Sequence, residues 1–147
     1  MTTAFKVLEP KSIEEFESYF QLRWEVLRKP WGQPKCSEQD ESDLAAIHRM
    51  VLDKEGNPIG VGMLLLNSNQ EAQIRFMAVS KNCQGMRVGT LLIDCLESIA
   101  SKQKCSYIIL QSRETAVKFY KKNGFKVVKK TYLLFGEIQH FLMQIFL

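Results

Sequence analysis

The residues best placed to do chemistry lie in one stretch. Ile74, Phe76, Met77, Ala78 and Val79 make an apolar run of strand length, Ser80 to Gln84 is a polar turn, and Gly85-Met86-Arg87-Val88-Gly89-Thr90 follows. From Val88 the apolar residues recur at Leu91, Leu92, Cys95, Leu96 and Ile99, which gives one buried face of a helix. A strand that ends in a glycine-bearing turn and feeds a helix builds an anion site. The first helical amides have no intrahelical partner, they point the same way, and the helix dipole adds positive charge there. Arg87 sits at that end, where a cation is unfavourable unless an anion neutralises it. A bound phosphate completes the arrangement. Two nucleotide patterns are excluded: no Gly-Lys-Ser/Thr follows the glycines, and Gly85 and Gly89 alone cannot make G-x-G-x-x-G.

The remainder of the chain must position that turn. With 147 residues and 46% hydrophobic content, one domain spanning 1–147 can bury a core. The net charge of +4 is spread along the chain, without the stripe or arm that nucleic acid would demand, so a small polyanion is the expected partner and nucleic acid is not. Cys36, Cys83, Cys95 and Cys105 form no C-x-x-C pair and have no histidine at ligand spacing, which reads as reduced thiols and no metal. The start MTTAFKVLEPK lacks a signal-peptide core, and no run reaches membrane-spanning length. The expectation is a soluble cytoplasmic protein without a membrane partner.

In chain order, Ala4 to Glu9 alternates as a first strand that Pro10 ends. Ser12 and Glu15 form a capping-box pair that opens a helix to Arg28, with Ile13, Phe16, Phe20, Trp24 and Leu27 on one face. Pro30, Gly32 and Pro34 break it into a loop, and a short helix is expected over Asp40 to Ala46. His48 to Asp53 and Ile59 to Leu66 read as a hairpin, in whose second arm Gly60 and Gly62 signal a bulge or close backbone approach. Glu71 to Val79 is the next strand, and the anion-site helix runs on to about Lys104. A strand Tyr107 to Leu110, a helix Glu114 to Lys122 closed by Asn123-Gly124, and strands Phe125 to Lys129 and Ile138 to Phe146 complete a mixed α/β sheet. The apolar last strand is a candidate for pairing with a second copy, which leaves monomer and homodimer both open.

The loop resembles the acyl-CoA pyrophosphate loop of the GNAT acyltransferase superfamily, Q/R-x-x-G-x-G/A, with Gln84 first, Arg87 where the first glycine is usual, and Gly89 last. A second stretch, Ala116-Val117-Lys118-Phe119-Tyr120-Lys121-Lys122-Asn123-Gly124-Phe125, is similar to the family's A-x-x-F-Y-x-K-x-G-F signature. LRWEVLRKPWGQPKCSEQDE, IRFMAVS and IQHFLM resemble the acetyltransferase half of bacterial GNAT/thioesterase-like fusion proteins, of which this chain would be a stand-alone version. The resemblance implies an α/β (α+β) fold: a mixed, mostly antiparallel sheet splayed between its fourth and fifth strands and flanked by helices.

It also implies the chemistry. An acyl thioester is already activated, so the protein must hold it, present a nucleophile, polarise the carbonyl and protonate the leaving thiolate. Acetyl-CoA or CoA would lie with its pantetheine along Met77, Ala78 and Val79, its pyrophosphate on Gln84, Gly85, Met86, Arg87, Val88, Gly89 and Thr90, and Tyr120 as the general acid. For the general base, Gln73 stands where some members have a glutamate, so Glu71, on the same strand face, and His140 are the candidates. The acceptor pocket is expected from the first helix and its loop, through Arg23, Trp24, Arg28 and Trp31, joined by Arg75. The expected acceptor is a small-molecule or peptide amine, with an acyl carrier protein as an alternative partner docking on the basic loop near Lys29 and Lys35. A CoA-binding module without turnover is the competing reading.

Overall fold

The computed structural model describes residues 5–147; Ala4, where the first strand is expected to begin, lies outside them. Among these residues the order is β1 (Lys6–Leu8), α1 (Ile13–Leu27), β2 (Ile47–Leu52), β3 (Pro58–Leu66), β4 (Glu71–Val79), α2 (Val88–Lys102), β5 (Tyr107–Arg113), α3 (Val117–Lys122), β6 (Lys126–Leu134) and β7 (Ile138–Phe146). The strands form a seven-stranded sheet ordered β1-β2-β3-β4-β5-β7-β6. Only β4 and β5 are parallel; every other neighbouring pair is antiparallel. The buried stripe of α2 (Val88, Leu92, Ile93, Leu96, Ala100) seals one face of the central strands. No helix among the described residues is long and apolar enough to cross a membrane.

Helix α1 starts where its capping box requires. Ser12 Oγ accepts from the Glu15 amide at 3.1 Å, and the Glu15 carboxylate accepts from the Ser12 amide at 2.9 Å. Its buried face differs from the apolar line in the sequence. Tyr19, Leu22 and Arg23 are buried, whereas Ile13 is 77% exposed. The reason is a buried polar cluster. Arg23, with no exposed surface, donates to Asp43 at 2.9 Å, to the Glu38 carbonyl at 3.1 Å and to Tyr19 Oη at 3.2 Å. Burial pushes the pKa of His48 down; its Nε2 lies 2.8 Å from the Asp43 carbonyl and its Nδ1 2.8 Å from Tyr19 Oη, which also reaches the Gly62 carbonyl at 3.0 Å. The expected short helix is a single 3-10 turn, Glu41–Leu44, held against α1 by this cluster.

The glycines of β3 meet both expectations. A Cβ on Gly60 would lie 2.6 Å from Val88 Cγ1, so α2 packs directly on the strand. Gly62 faces a bulge, because Val61 pairs with Ala78 and Met63 with Arg75, leaving Phe76 and Met77 opposite one residue. Phe76 takes the left-handed φ of +53°. Beyond this bulge β4 parts from β5. Their pairing covers only Glu71–Ile74 against Tyr107–Leu110, although β4 continues to Val79 and β5 to Arg113.

Strand β7 pairs with β5 along its length and carries β6 on its other side. It therefore has no free edge for a second copy, contrary to the expectation from its apolar sequence. Strand β6 is the open edge on this side, exposed over most of its length, with Lys126, Lys129 and Lys130 along it.

The buried Arg23–Asp43 pair gives a stability prediction. Asp43→Ala strands a guanidinium in the core and should cost about 3–5 kcal/mol in urea denaturation, most of it recovered when Arg23 is also changed to Met. A loss below about 1 kcal/mol, the usual worth of an exposed pair, would show that the cluster is not sealed from solvent.

Candidate active site

Where β4 and β5 part, two cavities open and share a wall. The first, about 640 Å³, runs along Met77, Ala78 and Val79 to the loop between β4 and α2. Gln84, Gly85, Arg87, Val88, Gly89 and Thr90 line it; Met86 does not, and its amide donates to the Cys83 carbonyl at 3.2 Å. The amides of Gly85, Arg87, Val88, Gly89 and Thr90 have no acceptor among the described residues, and α2 has no side-chain cap. Gly85 at φ +84° and Arg87 at φ +65° both take left-handed turns in this loop, on either side of Met86. Free amides at a helix N-terminus are the groups that bind oxyanions in general, and Arg87 lines the same cavity. Gly89 has a second reason to be glycine: a Cβ there would lie 2.7 Å from Phe119 Cζ, so α2 and α3 touch at this point.

The second cavity, about 380 Å³, lies on the other side of the parting, among Arg28, Gln73, Arg75, Phe76, Arg113, Tyr132 and His140. Leu27, Met77, Arg113, Ala116 and Tyr120 line both cavities. Tyr120 is 7% exposed, and its hydroxyl has no protein partner among the described residues. Burial pushes its pKa well above the ordinary phenol value, opposed by Arg113, so the group is a neutral donor at any working pH. His140 is buried with its ring stacked on Tyr132, 4.5 Å between centroids. Burial lowers its pKa, with Arg113 and Arg28 adding to the effect. In the neutral ring Nδ1–H donates to the Ile138 carbonyl at 2.9 Å, which leaves Nε2 as an acceptor.

Other expected residues lie elsewhere. Glu71 lines neither cavity; its carboxylate accepts from the Tyr107 hydroxyl at 3.0 Å and Asn67 Nδ2 at 2.8 Å, at the end of β4 still paired with β5. Arg23 is consumed by the core cluster described above. The Trp24 indole donates to the Gln33 carbonyl at 3.1 Å, and Trp31 is outside both cavities. Of the expected acceptor residues, Arg28 and Arg75 reach the second cavity, Arg75 while bound to Asp40 at 3.0 Å. Arg113 and Tyr132 were not expected there. Both belong to strands that extend beyond their apolar runs, and polar residues such as Gln111-Ser112-Arg113 carry no periodic signal.

The sequence profile described as "Acetyltransferase (GNAT) family" matches residues 16–125. The Bacillus subtilis (strain 168) protein named uncharacterized N-acetyltransferase YjcF is 30% identical over 138 residues, covering 94% of this chain and 97% of that protein. The chain belongs to the GNAT acetyltransferase family. Solved structures agree on the GNAT fold. An acyl-CoA N-acyltransferase from Pseudomonas aeruginosa superposes with a TM-score of 0.78 at 20% identity, over 98% of this chain and 99% of that one. An aminoglycoside 6'-N-acetyltransferase complexed with coenzyme A gives 0.80 at 14% identity, over 96% of each chain. GNAT membership makes acyl transfer with a CoA thioester the reaction class.

The left-handed turn at Arg87 supplies a test of the loop. Glycine accepts φ +65° freely and alanine does not, so Arg87→Gly should be more stable than Arg87→Ala by about 1 kcal/mol in urea denaturation. Alanine being the more stable of the two would mean that the loop does not hold this conformation.

Proposed function

We propose that the chain moves an acetyl or other short acyl group from acyl-CoA to a primary amine by direct attack in a ternary complex. The observation that carries this reading is the shared wall: Tyr120 and Met77 are among the residues that line both cavities. A donor whose diphosphate sits on the amides of Gly85 and Arg87 to Thr90 would extend along Met77–Val79. There the departure of β5 leaves backbone groups free to pair with an extended amide chain. The thioester then reaches Tyr120 from one side and the amine reaches it from the other.

The amine nitrogen attacks the carbonyl carbon, the C–S bond breaks, and the departing sulfur takes the Tyr120 proton. A main-chain amide near the bulge polarises the carbonyl oxygen. The attacking ammonium must first lose a proton. The cavity favours the neutral amine, because Arg28, Arg75 and Arg113 line it and, among the described residues, no carboxylate does. His140 Nε2 is the acceptor we assign to that proton, in preference to Glu71, which is engaged outside the cavity.

Thiol release from acetyl-CoA with a panel of amines tests the reading. Tyr120→Phe should lower kcat by about 10²–10⁴-fold while leaving the KM for acetyl-CoA nearly unchanged. CoA binding with no thiol release for any amine would make the protein a binding module. The His140 assignment predicts that kcat/KM falls as pH drops through a midpoint below the ordinary histidine value of about 6.5, because protonation removes the base and burial depresses its pKa. His140→Gln should flatten that limb; an unchanged limb would transfer the role to solvent.

A further inference from the structure

We infer, building on the transfer reading above, that the amine acceptor carries an oxyanion, carboxylate or phosphate, held by Arg28 and Arg113. The argument is how the chain uses its six arginines, Arg23, Arg28, Arg49, Arg75, Arg87 and Arg113. Among the described residues, Arg23 pairs with Asp43, Arg49 with Glu9 and Arg75 with Asp40. The three without a carboxylate are Arg28, Arg87 and Arg113, and all three face the cavities. Arg87 belongs to the donor loop. Arg28 and Arg113 belong to the acceptor side.

Those two guanidiniums stand together. Arg28 Nη1 and Arg113 Nη2 donate to the same oxygen, the Leu27 carbonyl, at 3.2 and 2.9 Å. Both are half-buried, and each is pushed below the ordinary arginine pKa, first by burial and also by other arginines: Arg23 and Arg75 act on Arg28, and Arg28 acts on Arg113. The Glu38 charge partly offsets this on Arg28 but forms no ion pair with it, its carboxylate accepting from the Cys36 amide and Gln39 Nε2. Two adjacent, partly desolvated cations without an ion-paired carboxylate are costly to maintain. Their complement is a group that takes several charge-assisted hydrogen bonds at once, which is an oxyanion. The same charge repels polycationic amines, so a polyamine or aminocyclitol acceptor does not suit this cavity.

Arg113 also borders the donor cavity, whereas Arg28 does not, so Arg28 separates acceptor from donor recognition. The experiment compares, at saturating acetyl-CoA, a dipeptide with a free carboxylate, its C-terminal amide, an aminoalkyl phosphate and spermidine. Wild-type kcat/KM should favour the carboxylate or the phosphate over the amide and spermidine by about 10- to 100-fold, and the preferred arm identifies the oxyanion. Arg28→Gln should erase that preference through the acceptor KM while the acetyl-CoA KM stays fixed; should it not fold, Arg113→Gln is the second variant, read on the carboxylate-over-amide preference alone because Arg113 borders both cavities. Equal use of the amide or spermidine by the wild type, or an effect of Arg28→Gln confined to the acetyl-CoA KM, overturns the inference. Calorimetry with the N-acetylated dipeptide on the CoA-bound chain distinguishes failure of the transfer reading itself. Binding that Arg28→Gln abolishes supports the anion site even without turnover, and absence of both binding and turnover overturns it.

Discussion

The interruption of the β4–β5 ladder is the constraint on which the molecule depends. Four residues of each strand pair, from Glu71 and Tyr107 to Ile74 and Leu110, and then the strands separate. A buried strand end without ladder partners would ordinarily be penalised, because each orphaned amide or carbonyl loses its hydrogen bond. Two features make the separation tolerable. β7 pairs with β5 along its whole length, so that strand is anchored from its other side. On the β4 side the bulge fixes the divergence, and Phe76, in its left-handed conformation, is held by Arg23 at 4.2 Å and Arg75 at 4.6 Å from its ring centroid. The strain, of order 1–2 kcal/mol, sits beside the parting of the two strands, in the wall of the second cavity.

The electrostatics of the site follow from burial acting in opposite senses on two chemistries. Desolvation raises the phenol of Tyr120 and lowers the imidazole of His140, so both are held neutral, one as a donor and the other as an acceptor. Environments that push two groups apart in this way are what the proposed division of acid and base work would require. The arginines divide as well: Arg23, Arg49 and Arg75 pair with carboxylates of the chain, whereas Arg28, Arg87 and Arg113 line the cavities without such a pair among the described residues.

Much of this was legible in the sequence, and the limits have physical causes. The capping box at Ser12, the period of α2 and the loop from Gln84 to Thr90 are local signals, and the structure places each where the residues put it. The two motif stretches line one cavity, the loop leading into α2 and Tyr120 on α3. What escaped is what only tertiary structure decides. Arg23 and Tyr19 are core residues because a polar network surrounds them, and hydrophobic periodicity does not register a buried guanidinium. Glu71 shares a strand face with Gln73, but two residues along β4 carry it from the open part of the sheet to the paired part. Arg113 lies beyond an apolar run that ends at Leu110, so nothing local announced that β5 would carry it to the cavity.

One outer strand bears on how these molecules behave in company. β6 offers an unpaired row of backbone groups with Val128 and Leu133 exposed, the kind of surface on which neighbouring chains extend one another's sheets. Lys126, Lys129 and Lys130 interrupt that surface with like charge. A neighbour arriving in register would bring its own lysines against these. The repulsion guards against uncontrolled fibre-like growth at the rim farthest from β1, and it weakens as salt rises.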